Sequence, residues 1–187
     1  MDIQKLQSLI DYNPETGSMV WKPRNPEYFR TYRGYAIWTA KYCGKEVGCS
    51  YTMKSGYTCR VFSLQGHGSG SSRMFCHRAA WAIMTGRQPP KKIDHINQDA
   101  TDNRWVNLRD GTNSINERNM FMRRDNTSGV PGVSWSKLHR KWETHVGHKG
   151  KKISLGLFED ISEAEKAVRK KRGELGYSPL HGRPRTD

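Results

Sequence analysis
Apolar residues fall into short groups along the chain, and the spacing within each group predicts an element. Ile3, Leu6, Leu9 and Ile10 recur at helical spacing, which predicts a short amphipathic helix over residues 2–11. "YNPETGSMVWK" reads as a turn leading into a strand at Met19, Val20 and Trp21. Residues 22–42 are rich in Tyr and Arg, show no clean period and receive no element. "GKEVGCSYTMKSGYTCRVFSL" predicts a β-hairpin turning at Lys-Ser-Gly, and the Gly/Ser-rich stretch 65–73 predicts a flexible tip between strands. A helix is predicted from about His77 to Thr85, stopped by Gly86 and kept from resuming by Pro89-Pro90. Residues 111–124 read as helical with Thr112 as N-cap, and residues 125–132 as a linker.

The pattern then changes to three alternating runs, "GVSWSK", "KWETHVGHKG" and "KKISLGLFE", followed by a helix opening on a Ser162–Glu165 capping box. Ala164, Ala167 and Val168 give that helix a small-residue face to pack on a three-stranded sheet. Alternation puts Val133, Trp135, Trp142, Thr144, Val146, Ile153 and Leu155 on the core side. Ser134, Ser136, Glu143, His145, Lys152 and Ser154 fall on the other side.

Charge narrows the function. The 187 residues carry 32 Lys+Arg against 18 Asp+Glu, a net of +14. Residues 1–90 contribute 12 − 5 = +7, residues 91–125 contribute 7 − 6 = +1, and residues 126–187 contribute 13 − 7 = +6. Two basic segments flank a nearly neutral centre, and the excess points to a polyanionic partner, most commonly nucleic acid. No apolar run has the length of a membrane span or the form of a signal peptide, so a soluble protein acting where it is made is expected. Cys43, Cys49, Cys59 and Cys76 lack close CxxC pairing; free thiols in a reducing compartment are the first reading, and a zinc site with His67 or His77 is the alternative.

The chemistry concentrates in "IDHINQDATDNRWVNLR". Cutting a phosphodiester needs a base for water and a cation on the phosphate. Hard oxygens suit Mg²⁺, and one carboxylate with one amide oxygen suffices because the ion keeps waters and takes substrate oxygens. Asp94 and an Asn can supply them. Asp94-His95, then Asn107 after eleven intervening residues and Asn116 after eight more, resembles an HNH nuclease motif of the homing-endonuclease branch in which Asn replaces the last histidine. His77-Arg78, Trp81, Gly86, Asn103-Arg104 and Asn107-Leu108-Arg109 extend the likeness, which covers residues 1 to about 120. The resemblance implies His95 as general base and Asp94 and Asn116 as ligands of a divalent ion, Mg²⁺ first and Mn²⁺ second. It implies that Asn107 holds the loop and orients His95 through its side-chain oxygen. Asn113 and Asn119 are alternatives to Asn116, His77 stays outside the catalytic set, and Asp99 and Asp102 read as loop acids. Arg109, Arg118, Arg123 and Arg124 are candidate phosphate contacts.

Residues 128–177 resemble an AP2-type DNA-binding domain through Gly132-Val133, Lys141-Trp142, Leu155-Gly156, Phe158 and Glu163-Ala164. That likeness implies a three-stranded sheet in the major groove, with Ser134, Ser136, His145 and Ser154 toward DNA and Arg140, Lys149, Lys151 and Lys152 on phosphates. Serines stand where plant members carry arginines and a tryptophan, so the target sequence does not transfer.

The expectation is an α+β protein: an N-terminal β-rich DNA-contacting segment (1–70), a ββα-metal nuclease core (71–125) and an AP2-like domain (126–187). It would be a metal-dependent endonuclease on double-stranded DNA, of the homing type, working as monomer or homodimer in a cytoplasm (a bacterial host's if phage-encoded), with no membrane partner and no small-molecule cofactor. The rivals are a DNA-binding regulator with an inactive core and an RNA-binding protein.

Overall fold
The structure is a computed structural model that describes residues 2–64 and 73–184. The chain divides into two compact units, Met1–Asp110 and Gly111–Asp187. The boundary between the units lies at 110/111. The tip expected at 65–73 lies outside the described residues apart from Arg73.

In the first unit, α1 (Ile3–Leu9) is capped by Asp2, whose side chain accepts from Lys5 N–H. It buries Leu6 and Leu9 and runs directly into β1 (Ile10–Tyr12), which pairs antiparallel with β2 (Met19–Trp21). The helix expected over 2–11 is thus one turn shorter, because Ile10 and Tyr12 gain ladder partners. The unassigned stretch holds a 3-10 turn (Pro26–Tyr28) and α2 (Tyr32–Tyr42), capped by Thr31. This helix buries no residue fully, which is why it has no apolar period. Aromatic contacts fasten it instead: Trp38 meets Trp21 edge-on, and the Arg24 guanidinium lies 4.1 Å from the Trp38 ring centre.

β3 (Cys49–Thr52), β4 (Thr58–Phe62) and β5 (Met74–Phe75) form an antiparallel sheet in that order, with the predicted hairpin between β3 and β4. α3 (Cys76–Thr85) ends on Gly86 in the left-handed conformation, at φ 64°, as its sequence requires. Its Ala79, Ala80 and Ala82 are buried against Leu6, Leu9, Trp21, Val47 and Phe62. Cys59 and Cys76 are buried thiols, Cys43 is half-buried and Cys49 exposed. The unit closes with β6 (Ile93–His95) and β7 (Leu108–Asp110), a two-stranded antiparallel ladder.

The second unit opens with α4 (Asn113–Glu117), capped by Thr112 as expected but far shorter than residues 111–124. The Asn-rich sequence is a weak helix former. Its continuation finds backbone partners elsewhere: Ser178 N–H donates to Arg118 O, Gly182 N–H to Met120 O, and Met122 N–H to Arg183 O. The expected linker is a built turn, in which Ser128 Oγ donates to Val133 O at 2.7 Å and Asn126 Nδ2 to Val130 O. β8 (Val133–Ser136), β9 (Lys141–His148) and β10 (Lys151–Phe158) form an antiparallel sheet with β9 central. α5 (Ile161–Glu174) packs Ala164 and Val168 against Val133 and Val146. Its cap is Asp160, accepting from Ser162 N–H, so the helix starts before the expected Ser162 box. A bulge between Ser154 and Gly156 carries Leu155 onto the core and leaves Leu157 on the outer face. Trp135, expected in the core, is 49% exposed and meets Trp142 edge-on, because β8 is an edge strand. No helix among the described residues is long and apolar enough to cross a membrane.

Candidate active site
The β6–β7 ladder places Asp94 opposite Arg109 and His95 opposite Leu108. Neighbouring residues on a strand leave on opposite faces. Leu108 belongs to the buried core, and His95 is only 5% exposed. Asp94 turns to the other face, where Arg109 Nε and Nη2 reach its Oδ2 at 2.7 and 2.6 Å.

The crowd of short polar residues between the strands closes the loop. Asn107 is buried; its Oδ1 accepts from Asn97 N–H at 2.9 Å and its Nδ2 donates to Asp102 O at 2.8 Å. Asn97 Nδ2 donates to Asp102 Oδ2, Asp99 N–H to Asn97 Oδ1, and Thr101 N–H to Asp99 Oδ1. Each Asp or Asn thus substitutes for a ladder partner that the turning backbone lacks. The N-terminal turn braces the loop: Tyr12 Oη donates to Asn103 O, Trp105 N–H donates to Pro14 O, and Gly17 (φ 75°) comes so close that a Cβ there would lie 2.6 Å from Arg104 N.

His95 sits among neighbours that oppose one another. Burial lowers its pKa, while a side-chain hydrogen bond with Asn103 and the charges of Asp94, Asp99 and Asp102 push it up; the balance is below the ordinary histidine value. The imidazole is therefore neutral at neutral pH. His77 lies edge-on to it with ring centroids 5.2 Å apart, and stacks on Phe75 at 5.4 Å. Burial, then His95 and Arg78, pull the His77 pKa down to about 3.

The remaining candidates are distributed as follows. Asn116 is on α4 in the second unit, and its Oδ1 is buried without a hydrogen-bond partner among the described residues. Arg109 is paired with Asp94 and Arg123 with Asp125 at 2.8 Å, so both guanidinium groups are already engaged; Arg124 is exposed. Arg118 Nη2 lies 3.5 Å from His148 Nδ1. Ser134, Lys152 and Ser154 are exposed on the outer face of the sheet, with Ser136 and His145 half-buried. Arg140 and Lys149 occupy the turns after β8 and β9 at φ 51° and 50°, and Lys151 opens β10. His77 and Asn103 belong to the HNH likeness in the sequence, but their contact with His95 is not legible there. His77 reads as a helix start eighteen residues before His95 and Asn103 as one of several loop asparagines, and no spacing announces that either meets the imidazole.

Residues 74–118 match the family model described as HNH endonuclease. Protein 3.8 of Escherichia phage T7 is 32% identical over 100 residues, covering 53% of this chain and 82% of that protein. The chain belongs to the HNH endonuclease family. The HNH domain supports a nuclease acting on DNA, and the matched stretch contains His77, Asp94, His95, Asn107 and Asn116. No solved structure matches the chain.

Each unit carries an oxygen donor of the HNH segment of the kind a hard divalent ion takes. Asp94 offers carboxylate oxygen, and the Asn116 amide oxygen is an acceptor buried without a donor. No group of three or more His, Cys, Asp or Glu suited to a metal occurs among the described residues.

Proposed function
We propose that the protein is a divalent-metal-dependent endonuclease of double-stranded DNA, with His95 as general base and Asp94 and Asn116 as the metal ligands. The observation that carries this is the state of His95: a buried imidazole, held neutral by its surroundings, adjacent to a carboxylate within the HNH segment. A neutral imidazole can accept a proton from water, and one tuned below its ordinary pKa is ready to do so at neutral pH. Asn107 keeps the strand end in place through the loop, and Asn103 touches the imidazole itself. A bound Mg²⁺ or Mn²⁺ supplies charge stabilisation at the phosphate and the leaving oxygen.

The reading extends to the second unit. Its three-stranded sheet backed by α5 is proposed as an AP2-like DNA-binding element whose outer face carries Ser134, Ser136, His145 and Ser154, with Arg140, Lys149, Lys151 and Lys152 on phosphates. Site-specific cutting of the homing type follows if that sheet selects the target. Incubating supercoiled plasmid bearing the target region with protein and Mg²⁺, or with EDTA, tests the proposal. Open-circle or linear DNA formed only with metal supports it, and metal-independent cutting removes the metal from it.

One observation favours a second reading. Arg109 already neutralises Asp94 Oδ2, an arrangement that a DNA-binding regulator with an inactive core would retain. Retained DNA binding with no cleavage under any divalent ion would select that reading.

A further inference from the structure
The second unit contains a cavity of about 210 Å³ beside the turn that joins β9 to β10. Arg118, His148, Lys149, Lys151, Lys152 and Tyr177 line it. Four of these are cations, and none of the four forms an ion pair among the described residues. In this they differ from Arg109 and Arg123, whose charges are met by carboxylates. Glu117 also lines the cavity, which leaves four cations against one carboxylate, a net of +3.

Arg118 is held by side-chain and backbone contacts. Its guanidinium lies 3.5 Å from His148 Nδ1 and 5.9 Å from the centre of the Tyr177 ring. Tyr177 is itself anchored, since its hydroxyl donates to Gly147 O at 2.6 Å. Ser178 N–H donates to Arg118 O, so the backbone is tied at the same point. A guanidinium pre-positioned in this way loses little freedom when it binds an oxyanion. The lysines add charge from the turn, where Lys149 adopts φ 50° next to Gly150.

We infer that this pocket holds a backbone phosphate of the DNA, and that it thereby links the grip of the β9–β10 turn to α4, the helix that carries Asn116 two residues before Arg118. The inference rests on the DNA part of the proposed function and not on its chemistry. Phosphate contacts position a protein on the duplex without reading sequence, and fixing the end of α4 is a positioning task. Arg118, Lys149, Lys151 and Lys152 therefore act as one site, while the serines of the sheet's outer face do not belong to it.

The test is binding of duplex DNA by the full chain across a salt series in EDTA, where no metal-dependent cutting interferes. Each phosphate contact contributes about 0.9 to the slope of log K against log salt. Lys149→Gln/Lys151→Gln should lower the slope by about 1 to 2, and Arg118→Gln by about 1. Lys170→Gln, a change on the exposed side of α5, serves as the control. Inorganic phosphate titrated into ¹⁵N-labelled protein should shift the Gly147, His148 and Gly150 amide signals, and should not do so in the Lys149→Gln/Lys151→Gln protein. Slopes that match wild type in both pocket variants would overturn the proposal, even if inorganic phosphate shifts the amides, since the pocket would then take free phosphate only. A loss of slope in a protein that never cuts plasmid supports the pocket and removes only the nuclease chemistry.

Discussion
His77 and His95 meet edge to face, with ring centroids 5.2 Å apart and planes at 88°. The first stands at the start of α3 and the second at the end of β6, so helix and ladder are joined through the proposed base. Phe75 closes the other side of His77. His77 is thus a positioning residue. His77→Ala should cut the single-turnover cleavage rate by about 10-fold to 10²-fold, the scale of a small misplacement, with DNA affinity unchanged. His77→Phe, which keeps a ring against His95, should recover part of that rate. Equal rates in all three proteins would deny His77 this role.

The same residue sets an acid limit. Its folded pKa of about 3 lies below the ordinary value of 6.5. Below pH 6.5 the unfolded chain gains a proton that the folded form refuses until pH 3. The stability from this group is therefore full above about pH 6.5 and falls as pH drops toward 3. His181, held near 4, acts in the same direction in the second unit. Denaturant melts at pH 7, 5 and 4 should show a smaller acid loss for His77→Phe than for wild type. Parallel losses would mean that another group governs the limit.

Asn107 makes two side-chain bonds to backbone groups of one loop. Asn107→Ala leaves a donor at Asn97 and an acceptor at Asp102 without these partners, at about 1–3 kcal/mol each. Urea unfolding should report a loss of about 2–6 kcal/mol. A loss under ~0.5 kcal/mol, the range of ordinary surface substitutions, would mean that the loop closes without it.

Arg109 and Asp94 allow a signed test of the metal ligand. Removing the guanidinium by Arg109→Ala leaves the carboxylate more negative toward a cation. The Mg²⁺ concentration for half-maximal cleavage should fall about 5-fold, from roughly 1 kcal/mol of lost charge repulsion at the surface. An unchanged Mg²⁺ requirement would argue against Asp94 as the ligand.

Elements with a strong local signal were legible in the sequence. α3 combined an apolar face with a Gly stop, and the β3–β4 hairpin combined alternation with turn residues. α2 was not legible, because aromatic edges and the Arg24 contact hold it instead of a buried stripe. α4 was over-read, since nothing local announces that residues 118–122 bond to residues 178–183. At the site, the polar run around His95 showed that a loop closes there. The partners of the histidine, Asn103 and His77, depend on packing that no spacing rule encodes.

In the proposed mechanism His95 takes the proton from water. The most direct test of this step compares wild type and His95→Ala on the same duplex with saturating Mg²⁺, measuring single-turnover cleavage and DNA binding together. His95→Ala should lose about 10²-fold or more in rate with binding retained. A His95→Ala protein that cuts at the wild-type rate would contradict it.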